Sequence, residues 1–458
     1  MSIRNFLKTF GAIVISVALL ASTAPNGFAA TACKLNLAGP TRSSAAEETA
    51  WNGVFADFEK QYKCTVKATW QGDFTTVPNT LRAAKLAKQN IDLVEVATTT
   101  FDLARGGMLM DLTDLSHKLD GRFSQPSLND YTLGGHVFAL PLSGQSSSVI
   151  FYNADIFKKL EIPVPITYAQ FVSAGKKISA SGVTPLVQGG KDTWTWPMWY
   201  MSTFSQVTNN KSLDLIRSIL DGKTKFTDAN SVAALKYIAQ FAKDELLTSD
   251  ALATDETAAV ATFVQGKAAM MFDGTWALSS IRAAKPAFTV GIARFPIVTG
   301  STKVKSQPNG AAEGGWAIPT ISNMKNRAKA AQFIEFATRK INASKILTGQ
   351  GIVVPSVLNA TVGSSEPLAK VLATSFAPDT IQWLDWLWPN DINDAIIQAT
   401  ESVLYKNMDP AVAAAGIQKV YDSLVKTQKY HYSWWNNWTS SDWSKIKLTT
   451  GSTLEVKK

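Results

Sequence analysis

The chain has 458 residues, of which 46% are hydrophobic and 18% charged. This is more than one small core needs and too apolar for a disordered polymer, so two or more lobes are expected. The formal charge of +9 is spread along the chain with no long Lys or Arg run, which fits a solvated basic surface and argues against a nucleic-acid binder.

In chain order, the first element reads as an export signal over residues 1–32. Arg4 and Lys8 precede an apolar run at 11–21 that is too short to span a bilayer as a stable helix. Small residues follow, and Gly27-Phe28-Ala29 and Ala30-Thr31-Ala32 are both acceptable cleavage sites. Removing Arg4 and Lys8 would leave a charge of 9 − 2 = +7. No later stretch is apolar enough to cross a membrane, so the mature protein should be soluble.

After this segment, strands and helices alternate. Cys33 and Cys64 start apparent strands at 34–37 and 65–70. Between them, Trp51, Val54, Phe55, Phe58 and Tyr62 take the spacing of an amphipathic helix. A βαβ unit places its strands side by side, and an exported chain meets an oxidising compartment, so a Cys33–Cys64 disulfide is expected. The competing reading takes residues 30–33 as a lipid-attachment box, but the apolar run ends well short of Cys33. A third strand at 91–96 completes a βαβαβ order, which implies a mostly parallel, helix-covered sheet. Ligands sit beyond the carboxyl ends of such strands, so the turns after Leu37, Trp70 and Val96 are the first places to look.

A second unit opens near residue 146. Strands are expected at 148–152, 182–186, 270–272, 289–295 and 316–318, with helices over 168–178 and much of 231–269. The chain then ends in helices.

The order of these motifs resembles the maltose-binding-protein-like group of sugar-binding extracellular solute-binding proteins of ABC importers. Ile91-Asp92-Leu93-Val94 is followed by Gly107-Met108-Leu109-Met110-Asp111-Leu112-Thr113. Gly135-His136-Val137-Phe138-Ala139-Leu140-Pro141 and Phe151-Tyr152-Asn153 come next. Phe263-Val264-Gln265-Gly266-Lys267-Ala268-Ala269-Met270 leads to Asp273-Gly274-Thr275-Trp276-Ala277, and Gly314-Gly315-Trp316-Ala317-Ile318-Pro319 precedes a helix at 328–336. The resemblance implies an α/β, two-lobed periplasmic-binding-protein fold with hinge crossovers and an interlobe ligand cleft. It implies a first lobe of 33–145 plus 297–340 and a second of 146–296 plus 341–458. It also implies a periplasmic monomer, without cofactor or metal, that hands sugar to separate permease subunits. No phosphate-cradling Gly-rich loop is present.

A pyranose offers an apolar C–H face and a rim of hydroxyls, so its site needs flat aromatics and a few fixed polar groups. Fourteen Trp are available. Trp276 sits where the resemblance places a stacking aromatic. Trp70 ends the second strand, and Trp194 follows the strand after Pro185. Asp73 and Thr99 lie on expected cleft turns. Gln145 and Ser146 lie at the first crossover, where similar proteins often place a hydroxyl-binding side chain. Glu313 precedes Gly314 and Gly315, which would let backbone approach a ligand closely. Of Trp383, Trp386 and Trp388, Trp388 is taken as the one reaching the cleft. The set Trp434, Trp435, Trp438 and Trp443 reads as a docking face for the end of the chain. Two other functions compete: the same fold binding a phosphorylated polyol such as glycerol phosphate, favoured by the net charge, and an exported glycoside hydrolase. A hydrolase needs two placed carboxyl groups, and nothing in the sequence makes Asp73 and Glu313 such a pair. Three His at no ligand spacing and the lack of a G-x-S-x-G elbow speak against metal or serine hydrolysis.

Overall fold

The computed structural model describes residues 33–457, apart from 43, 143, 352–353, 362–366, 450–453 and 455. The expected signal segment lies outside the described residues. Among those described, no helix is long and apolar enough to cross a membrane.

The first lobe is built on a five-stranded sheet in the order 64–70, 33–39, 93–96, 315–317, 140–141. Strands Cys33–Gly39, Cys64–Trp70 and Leu93–Val96 run parallel, as the βαβαβ pattern implied, and Gly315–Ala317 runs antiparallel to its neighbours. Helix Ala45–Tyr62 makes the first crossover. The Ser44 hydroxyl caps it by accepting from the Glu47 N–H, which satisfies one of the orphan amides of the first turn. Its apolar stripe buries Trp51, Phe55 and Phe58, which meet Trp316 and Phe333 at ring distances of 5.1–5.8 Å. Full burial of each such ring contributes about 1.5–3 kcal/mol.

Cys33 sits opposite Cys64 in the strand register, with Cα atoms 4.5 Å apart, and the two form a disulfide. The bond closes a loop of 31 positions, which stabilises the fold by about 3–4 kcal/mol through the unfolded chain. A bonded Cys33 has no free thiol to carry a lipid.

The second lobe centres on the long strand Gly144–Asn153. Asn309–Ala312, Ala268–Gly274, Val290–Ala293 and Val354–Pro355 all pair with it antiparallel. Thr184–Val187 lies beyond Ala268–Gly274 and Ile381–Gln382 beyond Asn309–Ala312. Helices Trp196–Val207, Ala229–Lys243 and Asn390–Tyr405 pack together beside this sheet.

The crossings differ from the expected boundaries. The return to the first sheet falls at Glu313–Gly314 and not near residue 297, because 290–293 and 309–312 both pair with 144–153. Helix Lys340–Gln350 stays with the first lobe: Lys345 reaches Asp57 at 2.6 Å, and Gly349 backs onto Ala46 and Ala50. The last turns of the chain also return there. Trp443 stacks on His136 at 3.6 Å, and His136 in turn meets Asp111 at 2.7 Å. Trp434, Trp438 and Trp443 thus dock the end of the chain. The crossings are tied side by side. The Glu313 N–H donates to the Gly144 carbonyl at 2.8 Å, the Leu142 N–H to the Gly314 carbonyl at 2.9 Å, and the Ser356 hydroxyl to the Gly144 carbonyl at 2.7 Å.

Candidate functional site

A cavity of about 330 Å³ opens between the two sheets. Its floor comes from the first lobe. Residues 40–42 follow Cys33–Gly39, residues 72–75 follow Cys64–Trp70, and residues 97–98 follow Leu93–Val96. These are the carboxyl ends of the parallel strands, where parallel strands leave room for a ligand. Ser146, Ala312 and Glu313 line the cavity at the crossings, and the second lobe supplies the opposite wall.

That wall is aromatic. Trp194 meets Trp276 edge to face at 5.5 Å, and Trp276 meets Trp383 at 6.2 Å. Trp386 completes the set. Trp276 is fixed from two sides. Its Nε1–H donates to Glu256 Oε1 at 2.9 Å, and its ring folds back over Gly274, where a Cβ would come within 2.1 Å of it. The glycine of the Asp273-Gly274-Thr275-Trp276 stretch is therefore required by the ring itself. Indole rings held this way keep a face open without losing further side-chain entropy when a ligand binds.

The floor is charged. Arg42 donates to Glu47 at 3.1 Å and to Glu95 at 2.5 Å, and its guanidinium lies 3.9 Å above the Trp70 ring. All three charged side chains are less than a tenth exposed. Asp73 caps the short helix Phe74–Thr76 by accepting from the Thr75 N–H at 2.8 Å and the Thr75 hydroxyl at 2.6 Å. Burial pushes the Glu313 carboxyl up to about 7, against a hydrogen bond from Ser146 and with the carboxylates of Glu47, Glu95 and Glu256 adding to the rise. Burial likewise pushes Asp385 up to about 7. It raises Glu256, and holds Asp273 well above the usual carboxylate range with Glu256 as the next cause. Glu313 Oε2 and Asp385 Oδ1 are shielded from solvent and have no hydrogen-bond partner.

The cavity gathers five of the expected site residues: Asp73, Ser146, Trp194, Trp276 and Glu313. Six lie elsewhere. Trp70 stacks behind Arg42 and Phe55 and forms a second layer under the floor. Thr99 is buried, and Gln145 donates to Ser124 Oγ at 2.9 Å. Gly314 and Gly315 are there for packing: a Cβ on them would meet Leu142 and Tyr131 side chains at 2.6 Å. Trp388 packs against Tyr200, and its Nε1–H donates to Asn393 at 3.1 Å. Trp383 and Trp386 line the cavity in its place, because Leu384–Trp386 is a 3₁₀ turn and positions three apart eclipse on such a turn. The spacing of three was the readable signal. Arg42, Glu47 and Glu256 were missed, as was Glu95. A charged residue inside the buried run Leu93-Val94-Glu95-Val96 is itself a sign of a paired charge.

Among the described residues, no group of three or more His, Cys, Asp or Glu is placed to hold a metal ion.

Two α/β lobes joined by adjacent crossings around such a cavity define a solute-binding architecture. The bacterial extracellular solute-binding protein family model matches residues 43–343, and the chain belongs to that family. It is 24% identical over 373 residues to the multiple sugar-binding protein of Streptococcus mutans serotype c, covering 77% of this chain and 83% of that one. It is also 24% identical over 299 residues to the sn-glycerol-3-phosphate-binding periplasmic protein of Brucella abortus, covering 62% of this chain and 66% of that one. Among solved structures, a chitin oligosaccharide binding protein superposes with a TM-score of 0.75 at 23% identity, over 86% of this chain and 98% of that one.

Proposed function

We propose that this chain captures a sugar outside the cytoplasm, closes its lobes around it, and presents it to the permease of an ABC importer. The observation that carries this reading is the facing of an indole wall, Trp194, Trp276, Trp383 and Trp386, against polar strand-end turns across one cavity. Flat apolar faces opposite fixed hydrogen-bonding groups are what a sugar ring requires. The names of the Streptococcus relative and of the chitin oligosaccharide binding protein point the same way. A removable signal at 1–32 and the Cys33–Cys64 disulfide suit an exported, periplasmic protein. The bound sugar undergoes no chemistry, in keeping with a family of binding proteins.

The phosphorylated-polyol reading has the Brucella relative in its favour. Against it stands the lining: Arg42 is the one basic side chain among the described lining residues, and it is already paired with Glu47 and Glu95. A phosphate dianion would enter a site of its own sign.

Each lobe holds part of the site, so a ligand touching both favours the closed form by its differential affinity alone. Small-angle scattering with and without a sugar found by thermal shift tests this. The radius of gyration is expected to fall on binding, and an unchanged profile in a sample with confirmed binding would refute closure. Neutral oligosaccharides should raise the melting temperature while glycerol 3-phosphate does not. The reverse would transfer the assignment to the polyol, and released monosaccharide would reveal a hydrolase.

A further inference from the structure

We propose that the ligand of this cavity is a saccharide bearing a protonated amine, recognised by the ammonium group as well as by its ring. The inference rests on the sugar-binding reading and narrows it. Six acidic residues line the cavity, Glu47, Asp73, Glu95, Glu256, Glu313 and Asp385, against the single guanidinium of Arg42. The acidity is local, because the chain as a whole carries +9.

Most of these acids have partners. Glu47 and Glu95 hold Arg42, Glu256 accepts from Trp276, and Asp73 accepts from Thr75. Glu313 is met by Ser146 and Asp385 by the backbone N–H groups of Asp385 and Trp386, yet one oxygen of each, Oε2 and Oδ1, is out of contact with solvent and without a donor. A buried carboxylate oxygen without a partner is costly, and the cost persists until something supplies both a donor and a charge. A sugar hydroxyl supplies the donor alone. An ammonium supplies three donors and the opposite charge. Burial raises both carboxyls to about 7, more than the Ser146 hydrogen bond to Glu313 and the backbone N–H groups of Asp385 and Trp386 at Asp385 offset. The indole wall adds a second attraction, since a cation over an indole face is drawn to its quadrupole.

The test uses matched pairs that differ in charge with the sugar ring kept: glucosamine and N-acetylglucosamine, galactosamine and N-acetylgalactosamine, and the β-1,4 glucosamine dimer and its diacetylated form. Isothermal calorimetry at low salt should find, in at least one pair, the amine bound at least about tenfold more tightly than its neutral twin. The double variant Glu313→Gln, Asp385→Asn should erase most of that ratio, with folding checked by circular dichroism and melting. A ratio kept in the folded double variant would overturn the role of these two carboxyls. A neutral twin bound as tightly as the amine in every pair that binds would overturn the cationic ligand and leave sugar capture standing. So would binding of maltose, raffinose or xylobiose with no amine bound. No binding of any of these sugars would overturn sugar capture itself.

Discussion

Around the cavity, the second lobe offers four indoles on short helical turns, whereas the first offers the ends of three parallel strands and the first turn of helix Ala45–Tyr62, which together carry Arg42, Glu47, Asp73 and Glu95. The two walls are held in opposite ways. Trp276 is fixed by one hydrogen bond and by contact with Gly274, Trp194 and Trp383, so most of its support is shape. Arg42 is fixed by charge, between two buried carboxylates and above Trp70. Losing a shape contact leaves a gap whose cost depends on how far neighbours relax. Losing one member of a buried ion pair leaves a charge that nothing nearby neutralises. The aromatic wall should therefore tolerate substitution with loss of ligand, and the charged wall should fail with loss of fold.

The sharpest way to break that comparison is Arg42→Met. It keeps the stem over Trp70 but takes the guanidinium away from the buried Glu47 and Glu95, and should cost about 3–5 kcal/mol of stability. Denaturant melts without ligand would show it, and a change below about 1 kcal/mol would mean that the floor is not held by charge. Trp276→Ala should instead lower sugar affinity at least tenfold, a loss of about 1.5–3 kcal/mol. Calorimetry gives the affinity. A large fall in the ligand-free melting temperature would move Trp276 to the side of Arg42.

A third effect concerns pH. Burial raises Glu313 and Asp385 to about 7 and Asp130, which accepts from the Ala312 N–H, to about 8. Folded, these groups hold protons that the unfolded chain has released above about pH 4. The folded state thus binds more protons, and stability falls as pH rises through this window. Ligand-free protein should melt a few degrees lower at pH 8 than at pH 5. The combined Asp130→Asn, Glu313→Gln, Asp385→Asn protein should flatten the slope, and an unchanged slope would assign it to other groups.

How much of this was legible in the sequence follows the range of the interactions. The first sheet was readable because βαβ spacing and the stripe from Trp51 to Tyr62 are local patterns, and the turns at its strand ends could be named as cavity floor. Trp276 was chosen on the resemblance carried by the Asp273-Gly274-Thr275-Trp276-Ala277 stretch, whereas the need for Gly274 under its ring is visible only in three dimensions. Arg42 with Glu95 could not be paired from sequence, because 53 positions separate them. Strand Asn309–Ala312 was missed because Asn-Gly-Ala-Ala has no β-branched or aromatic residue, and its pairing with 144–153 comes from tertiary context. That omission also put the second crossing too early in the chain. Choosing Trp388 over Trp383 and Trp386 failed for a related reason, as a helical period was applied to a 3₁₀ turn.

The late arrival of Gly315–Ala317 in the first sheet has a consequence for how the molecule comes into being. Trp316 lies opposite Glu95, and Asn326 donates to the Lys34 carbonyl across 292 positions of sequence. Until those residues have been synthesised, strand Leu93–Val96 has an open edge whose side chains are all destined for the interior. An unpaired apolar edge is a template for the wrong partner, and non-local pairing closes slowly. The first lobe is therefore still open after strands Gly144–Asn153, Ala268–Gly274, Val290–Ala293 and Asn309–Ala312 of the second have been made. A nascent chain stopped anywhere before residue 315 should be sticky and protease-sensitive, however much of its N-terminal half has emerged.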